Sequence, residues 1–372
     1  MFSFCSRKFF RIKWSGDLST FFLLIRNSSL RFSSNATEQS SLTVDYLIKR
    51  CGLTQESALK ASQRINIKST TNADWVRALL DSYGLPKSCI SKLISNHPAV
   101  LSGNPKKILE PKIEYFLNMG MTVPDLAKIF SKDPSILAGA SLTNQIIPSM
   151  EFLRSFLNDG KNIALVLSRL RWNTGFQRLM EPNIELLRNQ GVPEPVISKL
   201  VIICPQALTL KQPRFNEAVL KAKEMGFDPS SLMFVHAIRT LSQMNTTLET
   251  KLEVFRNFGW SEDEILCMFR KQPYCLTRSE KILRIRLDFF MNKLSLTAAE
   301  ITTNPVVLLL SMEKRTVPRC SVIQVLLSQG LMKKQSIGSA LLMNDARFLE
   351  NFVRKYHQEL PQLLQEYKRN ME

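Results

Sequence analysis

The sequence predicts an all-α protein, a right-handed-type α-solenoid of helical repeats of about 35 residues, each two helices plus a short third turn. Three observations carry this expectation. Glycine supplies 13 of 372 residues, about half the usual share of roughly 7%, which disfavours Gly-rich phosphate loops and closely spaced strand turns. A five-residue pattern with proline second and leucine fifth recurs along the chain: "HPAVL" (97–101), "DPSIL" (133–137), "CPQAL" (204–208), "QPYCL" (272–276) and "NPVVL" (304–308). Upstream of these copies, apolar residues fall at i, i+3 and i+4, which lines one face of a helix.

Each element follows from this register. The prolines are Pro98, Pro134, Pro205, Pro273 and Pro305, with Leu101, Leu137, Leu208, Leu276 and Leu308 three residues on. Two of the intervals between prolines are double the others, so two degenerate copies are expected near Leu170 and Thr240. Fourteen residues before four of the prolines stand Gly84, Gly120, Gly191 and Gly259. Segments such as "PKIEYFLNMG" and "KLEVFRNFG" therefore read as first helices stopped by glycine in the left-handed position. The second helix carries Ile90, Leu93 and Ile94 in one copy, and Leu126, Ile129 and Phe130 in the next. Proline then ends that helix and opens a short turn, with Asp133 or Asn304 suited to cap it and His97 tolerated in the same place. The last repeat lacks a glycine fourteen before Pro305 and is contracted. Such a unit cannot bury its apolar face alone and stacks on its neighbours.

The N-terminal segment has a different character. Residues 1–35 hold six cations (Arg7, Lys8, Arg11, Lys13, Arg26 and Arg31), one acid (Asp17) and eight serines. Arg-rich, Ser-rich and acid-poor is the composition of an organelle transit peptide, and "LRFSS" (30–34) reads as a processing site cut after Phe32. The predicted organisation is a transit peptide at 1–32, a linker at 33–43, the repeat array at 44–367 and a tail at 368–372. The segment accounts for +5 of the formal charge of +18, so the rest remains strongly basic and calls for a polyanionic partner. Mitochondrion is the expected compartment, with chloroplast the alternative. "FFLLI" (21–25) is too short for a bilayer span, and no membrane insertion is expected.

No enzyme signature emerges. Gly-x-Gly-x-x-Gly, the phosphate-loop Gly-Lys-Ser/Thr and His-Glu-x-x-His are all absent. The histidines, His97, His236 and His357, are scattered, and the odd number of cysteines, seven without Cys-x-x-Cys, suits buried thiols rather than a zinc site or disulfides. Cys275 fills an apolar repeat slot, and Trp260 reads as a packing residue. The expectation is a non-enzyme with no cofactor and no metal.

The combined pattern resembles the mitochondrial transcription termination factor (mTERF) family, particularly its land-plant branch. "DYLIKRCGLTQESALKAS" (45–62), "PDLAKIFSKDPSIL" (124–137), "KAKEMGFDP" (221–229), "KLEVFRNFGWSEDEIL" (251–266) and "PRCSVIQVLLSQGL" (318–331) are similar to that family's segments. The resemblance implies three-helix repeats curved into a half-ring with a basic concave face. It also implies binding of double-stranded DNA, or of RNA, in mitochondria or chloroplasts, with roles in transcription termination, transcription regulation or transcript maturation.

Basic residues recur shortly after each Pro-x-x-Leu, and these are the candidate nucleic-acid contacts: Lys106 and Lys107; Lys211 and Arg214; Arg278, Lys281, Arg284 and Arg286; and Lys314, Arg315 and Arg319. The degenerate third repeat offers Arg169, Arg171 and Arg178. Cations repeated at one place in a solenoid unit line one edge and neutralise successive phosphates. The repeat opening at "GASLTNQIIP" is an exception, with Asn144 and Gln145 in place of cations. The expected partners are organellar DNA or RNA, bound by a monomer, with proteins of the gene-expression machinery as further partners. The competing reading is a protein-binding α-solenoid scaffold, in which these charges are solvated helix starts or face an acidic protein.

Overall fold

A computed structural model describes residues 42–172, 175–244, 247–363, 365 and 367. The expected transit peptide and tail, and nearly all of the linker, lie outside the described residues. The described chain is helical, with no β-strand among its described residues. It packs as two compact units, one ending at Ile146 and the other beginning at Ile147.

In the first unit, helices 42–49 and Gln55–Ser62 lead into a full repeat: Thr70–Ser82, Lys87–Asn96 and the 3-10 turn Pro98–Ser102. The next repeat opens with a widened π turn, Pro105–Leu109, that runs into Glu110–Asn118. It continues through Val123–Lys132 and the short helix Ser135–Ala138. The second helices Lys87–Asn96 and Val123–Lys132 pack on each other, and Phe116 meets Phe130 edge to face at 6.3 Å. Both rings are fully buried.

The second unit repeats the scheme. Phe176–Asn189, Glu194–Ile203 and Pro205–Leu208 form one repeat; Leu248–Arg256, Glu262–Lys271 and Pro273–Thr277 form another. Glu280–Leu287, Ala298–Thr303 and Pro305–Leu309 follow, and then Val317–Ser328 with Ile337–Leu342. Successive second helices stack: Glu194–Ile203 on Leu232–Ser242, that helix on Glu262–Lys271, and Glu262–Lys271 on Ala298–Thr303. This neighbour-to-neighbour packing of helical repeats is that of an α-solenoid.

The backbone explains why proline sets the period. His97, Asp133, Cys204, Gln272 and Asn304 all have φ between −148° and −134° with ψ between 63° and 86°. Proline excludes the α region for the residue before it, so each second helix stops two residues before proline whatever side chain stands between. All five prolines and their leucines are buried. Side-chain capping, expected for Asp and Asn here, is made by Asp133, whose Oδ1 accepts from the Ser135 amide at 3.2 Å. His97, Cys204, Gln272 and Asn304 make no such bond. The slot therefore selects a backbone conformation rather than a capping side chain, and His97 is no cap.

The degenerate repeat at Thr240 shows the converse. Gly226, fourteen residues upstream, keeps the left-handed turn at φ 80°. Without proline the second helix Leu232–Ser242 continues through Thr240 and ends two residues beyond the slot. The contracted repeat departs at the other end. There Ser295 takes φ 54°, the place glycine holds elsewhere, and ends the π turn Asp288–Lys293. A Cβ in that region is strained by about 1–2 kcal/mol.

A second recurring device was not anticipated. A polar side chain on the first helix reaches the carbonyls at the end of the next short turn. Asn72 Nδ2 donates to Leu101 O at 2.7 Å and Gly103 O at 3.1 Å. Lys112 Nζ donates to Leu137 O at 2.6 Å. Asn183 Nδ2 donates to Leu208 O and Leu210 O, both at 2.8 Å, and Lys251 Nζ to Leu276 O at 2.6 Å. Arg286 Nη1 donates to Leu308 O. Arg319 Nη1 donates to Ala340 O at 3.1 Å, Leu341 O at 3.0 Å and Met343 O at 2.6 Å. The end of a short turn or helix leaves carbonyls without helical partners, and these donors satisfy them from outside. Burial pulls Lys112 and Lys251 below the usual lysine range.

Candidate nucleic-acid interface

The inward-pointing donor fixes a register for the cations predicted to bind nucleic acid. Five residues before Lys112, Asn183, Arg286 and Arg319 stand Lys107, Arg178, Lys281 and Lys314. All four are exposed. None has an ion-pair partner among the described residues. Five residues turn an α-helix by about 140°, so Phe176–Asn189 and Glu280–Leu287 each send one donor inward and the other out.

These side chains sit where helices begin. Asn104 accepts the Lys107 amide at 2.9 Å, and Ser311 accepts the Lys314 amide at 3.2 Å. Ser279 caps the helix carrying Lys281 through the Ile282 amide at 3.4 Å. The first turn of a helix carries the positive end of its dipole, where Lys and Arg disfavour the helix and anions favour it. Cations recurring there are not explained by helix stability. They add to unsatisfied backbone N–H groups, and the combination suits phosphate. In the repeat opening at Leu142–Ile146, Asn144 stands at the place of Lys107, three residues after the capping Ser141.

The structure divides the remaining predicted residues. Lys106, Arg171, Lys211 and Arg284 are exposed. Arg315 is half-buried, 4.0 Å from Asp345. Arg169, half-buried, donates to the carbonyls of Ile202 and Ile203, and Arg214 Nη2 donates to Ser242 O at 3.1 Å in the proline-free repeat. Arg278 Nη2 donates to Leu309 O at 3.1 Å, so this guanidinium is largely engaged in packing.

Two predictions fail. Arg286 and Arg319 are buried, at 7% and 0% exposure, and are no phosphate contacts. Arg319 also donates through Nη2 to Asp345 at 2.6 Å and lies 4.7 Å over the Phe348 ring. Burial of this degree, rather than exhaustion of their donors, keeps both guanidiniums from a phosphate, since the Nε of each has no partner among the described residues.

Other flagged residues have structural partners. His236 Nδ1 is 2.5 Å from the Tyr274 hydroxyl, and burial lowers its pKa, with Arg239 adding to the effect. The Cys275 thiol donates to Pro305 O at 3.3 Å, and burial pushes it up to about 12. Trp260 is buried, with Nε1 donating to Met291 Sδ at 3.2 Å. Among the described residues no group of three or more His, Cys, Asp or Glu could hold a metal. None of their helices is long and apolar enough to cross a membrane.

The family model described as mTERF matches residues 78–239 and 236–349. The chain belongs to the mTERF family. Both matched segments carry the proline-stopped helices and the outward cations, and the second spans the contracted mTERF repeat around Ser295. The chain is also similar to "Transcription termination factor MTERF8, chloroplastic" of Arabidopsis thaliana, at 20% identity over 261 residues. That stretch is 69% of this chain and 51% of the relative, so the chain spans about half the length of the curated mTERF relative it matches.

Proposed function

We propose that this mTERF protein binds organellar nucleic acid, as duplex DNA or RNA, and regulates transcription, including its termination, or transcript maturation. The observation that carries the proposal is the register of Lys107, Arg178, Lys281 and Lys314, exposed and without ion-pair partners among the described residues, in the first turns of their helices. Phosphate is the ligand class that both the cations and the helix starts attract. The basic balance left after the first 35 residues supports the same partner, and so does membership of a family with a relative named as a transcription termination factor. No catalytic role is part of this reading.

The proposed compartment is an organelle. The N-terminal composition and "LRFSS" favour the mitochondrion, while the relative's name says chloroplastic. A fluorescent fusion of residues 1–43 imported into one of the two organelles decides between them. N-terminal sequencing of the mature chain is expected to find Ser33 first.

Electrophoretic shift of the full chain with organellar duplex DNA and with RNA tests the binding itself. A shift with either at moderate salt is expected. No shift with either, together with capture of an organellar protein partner, makes the protein-binding scaffold the better account.

A further inference from the structure

A groove in the first unit lies beside its outward cations. It encloses about 630 Å³, between the helix Thr70–Ser82 and the turn opening at Pro105. That volume falls within the roughly 300–1,000 Å³ of small-molecule sites. Trp75 lines it and is 61% exposed, with no aromatic partner among the described residues. Of the other described tryptophans, Trp172 is 5.7 Å from Phe176 and Trp260 is buried. Leaving an indole this open costs stability, and nothing in the packing of the helix requires it, since Ala73, Val76 and Leu80 form the buried face.

The groove is held in shape. Asn72, one turn before Trp75, binds the Leu101 and Gly103 carbonyls and so fixes the approach to Pro105. Asn104 holds the amide of Lys107. Lys106 and Lys107, exposed and without ion-pair partners among the described residues, lie on the lining with Trp75, and Glu110 is also there. Lys107 is the outward cation of this repeat, which makes the groove continuous with the proposed phosphate contacts.

We infer that this groove binds an unpaired nucleotide of a nucleic-acid strand, the base stacked on Trp75 and the flanking phosphates held by Lys106 and Lys107. The inference rests on the nucleic-acid reading above and deepens it by naming a single-stranded element of the ligand. Within a duplex both faces of each base are stacked and only edges and backbone are presented, so an exposed indole face gains little there. An unpaired base has a free π face, and stacking on an aromatic side chain tolerates any base. Glu110 accepts from an exocyclic amine or a ribose hydroxyl, groups that the same nucleotide supplies. An apolar protein segment would cover Trp75 but leave two lysines unanswered, which favours the nucleotide.

The test measures fluorescence anisotropy with the full chain, a labelled uridine 12-mer and a blunt 20-base-pair duplex at one salt concentration. Trp75→Ala is expected to weaken binding of the 12-mer by about five- to a hundredfold and to change duplex binding less than twofold. Trp75→Phe, which keeps a ring, is expected to recover most of the loss. Lys281→Glu with Arg284→Glu serves as the counterpart, weakening the duplex. Equal affinity of wild type and Trp75→Ala for the 12-mer overturns the inference, and leaves the wider reading intact if the duplex still binds. Equal losses on both probes also overturn it, since stacking on an unpaired base does not act on a blunt duplex. If the wild-type chain binds neither probe, both readings fall.

Discussion

Lys281 and Arg286 lie on one helix of the second unit, five residues apart, and end in opposite places. Lys281 is exposed without an ion-pair partner among the described residues, whereas Arg286 is buried against Leu308 O. Lys314 and Arg319 repeat the contrast, as do Lys107 and Lys112 in the first unit. The difference teaches that cationic content has two separate physical origins in this chain. One row closes the carbonyls left open where each short turn, or the helix Ile337–Leu342, ends, and Asn72 and Asn183 fill it as well as Lys or Arg does. The other row stands at helix starts, where charge of this sign works against the helix dipole, and so calls for an external anion.

Substitutions that separate the two rows sharpen the comparison. The largest effect is expected for Arg319→Met, which leaves three carbonyls and Asp345 without their donor. A loss of about 2–4 kcal/mol follows, seen as a Tm lower by roughly 10 °C. A melt within a degree or two of wild type would remove Arg319 from the inward row. Lys251→Met deletes one bond, to Leu276 O, and should cost less, about 1–2 kcal/mol. Lys112→Asn keeps a donor of the kind used at Asn72 and Asn183 and is expected to retain part of the stability that Lys112→Met loses. Ser295→Gly should stabilise by about 1 kcal/mol by relieving the positive φ, and denaturant titration showing no gain would argue against strain at that turn. Lys281→Glu with Arg284→Glu should leave stability within about 0.5 kcal/mol.

The periodic parts of this fold were legible because proline, leucine and glycine act through backbone and burial that no other residue reproduces. Five prolines impose one dihedral geometry on five different preceding residues, so their repetition could be read without knowing any contact. The inward row was not legible, since Lys, Asn and Arg share no composition class and each reads alone as a surface residue. A faint signal did exist. Proline precedes three of these polar residues, Lys112, Asn183 and Arg319, and also Arg214, and all four donate to carbonyls of a later helix end. The site was half legible for the same reason. Cations after the Pro-x-x-Leu copies stood out in the sequence, but only the helical turn from Lys281 to Arg286 or from Lys314 to Arg319 separates exposed from packed charge. Trp75 was not legible as a site residue because it lies before the first Pro-x-x-Leu, ahead of the cations that follow the copies.

The salt dependence of duplex binding tests the outward row most directly. For wild type, the logarithm of the binding constant should fall linearly with the logarithm of salt concentration, by about 0.9 per phosphate contact. Lys281→Glu with Arg284→Glu should flatten that slope by about 1.8 while the melting temperature stays unchanged. An unchanged slope in a stably folded variant would contradict the assignment of these helix starts to phosphate.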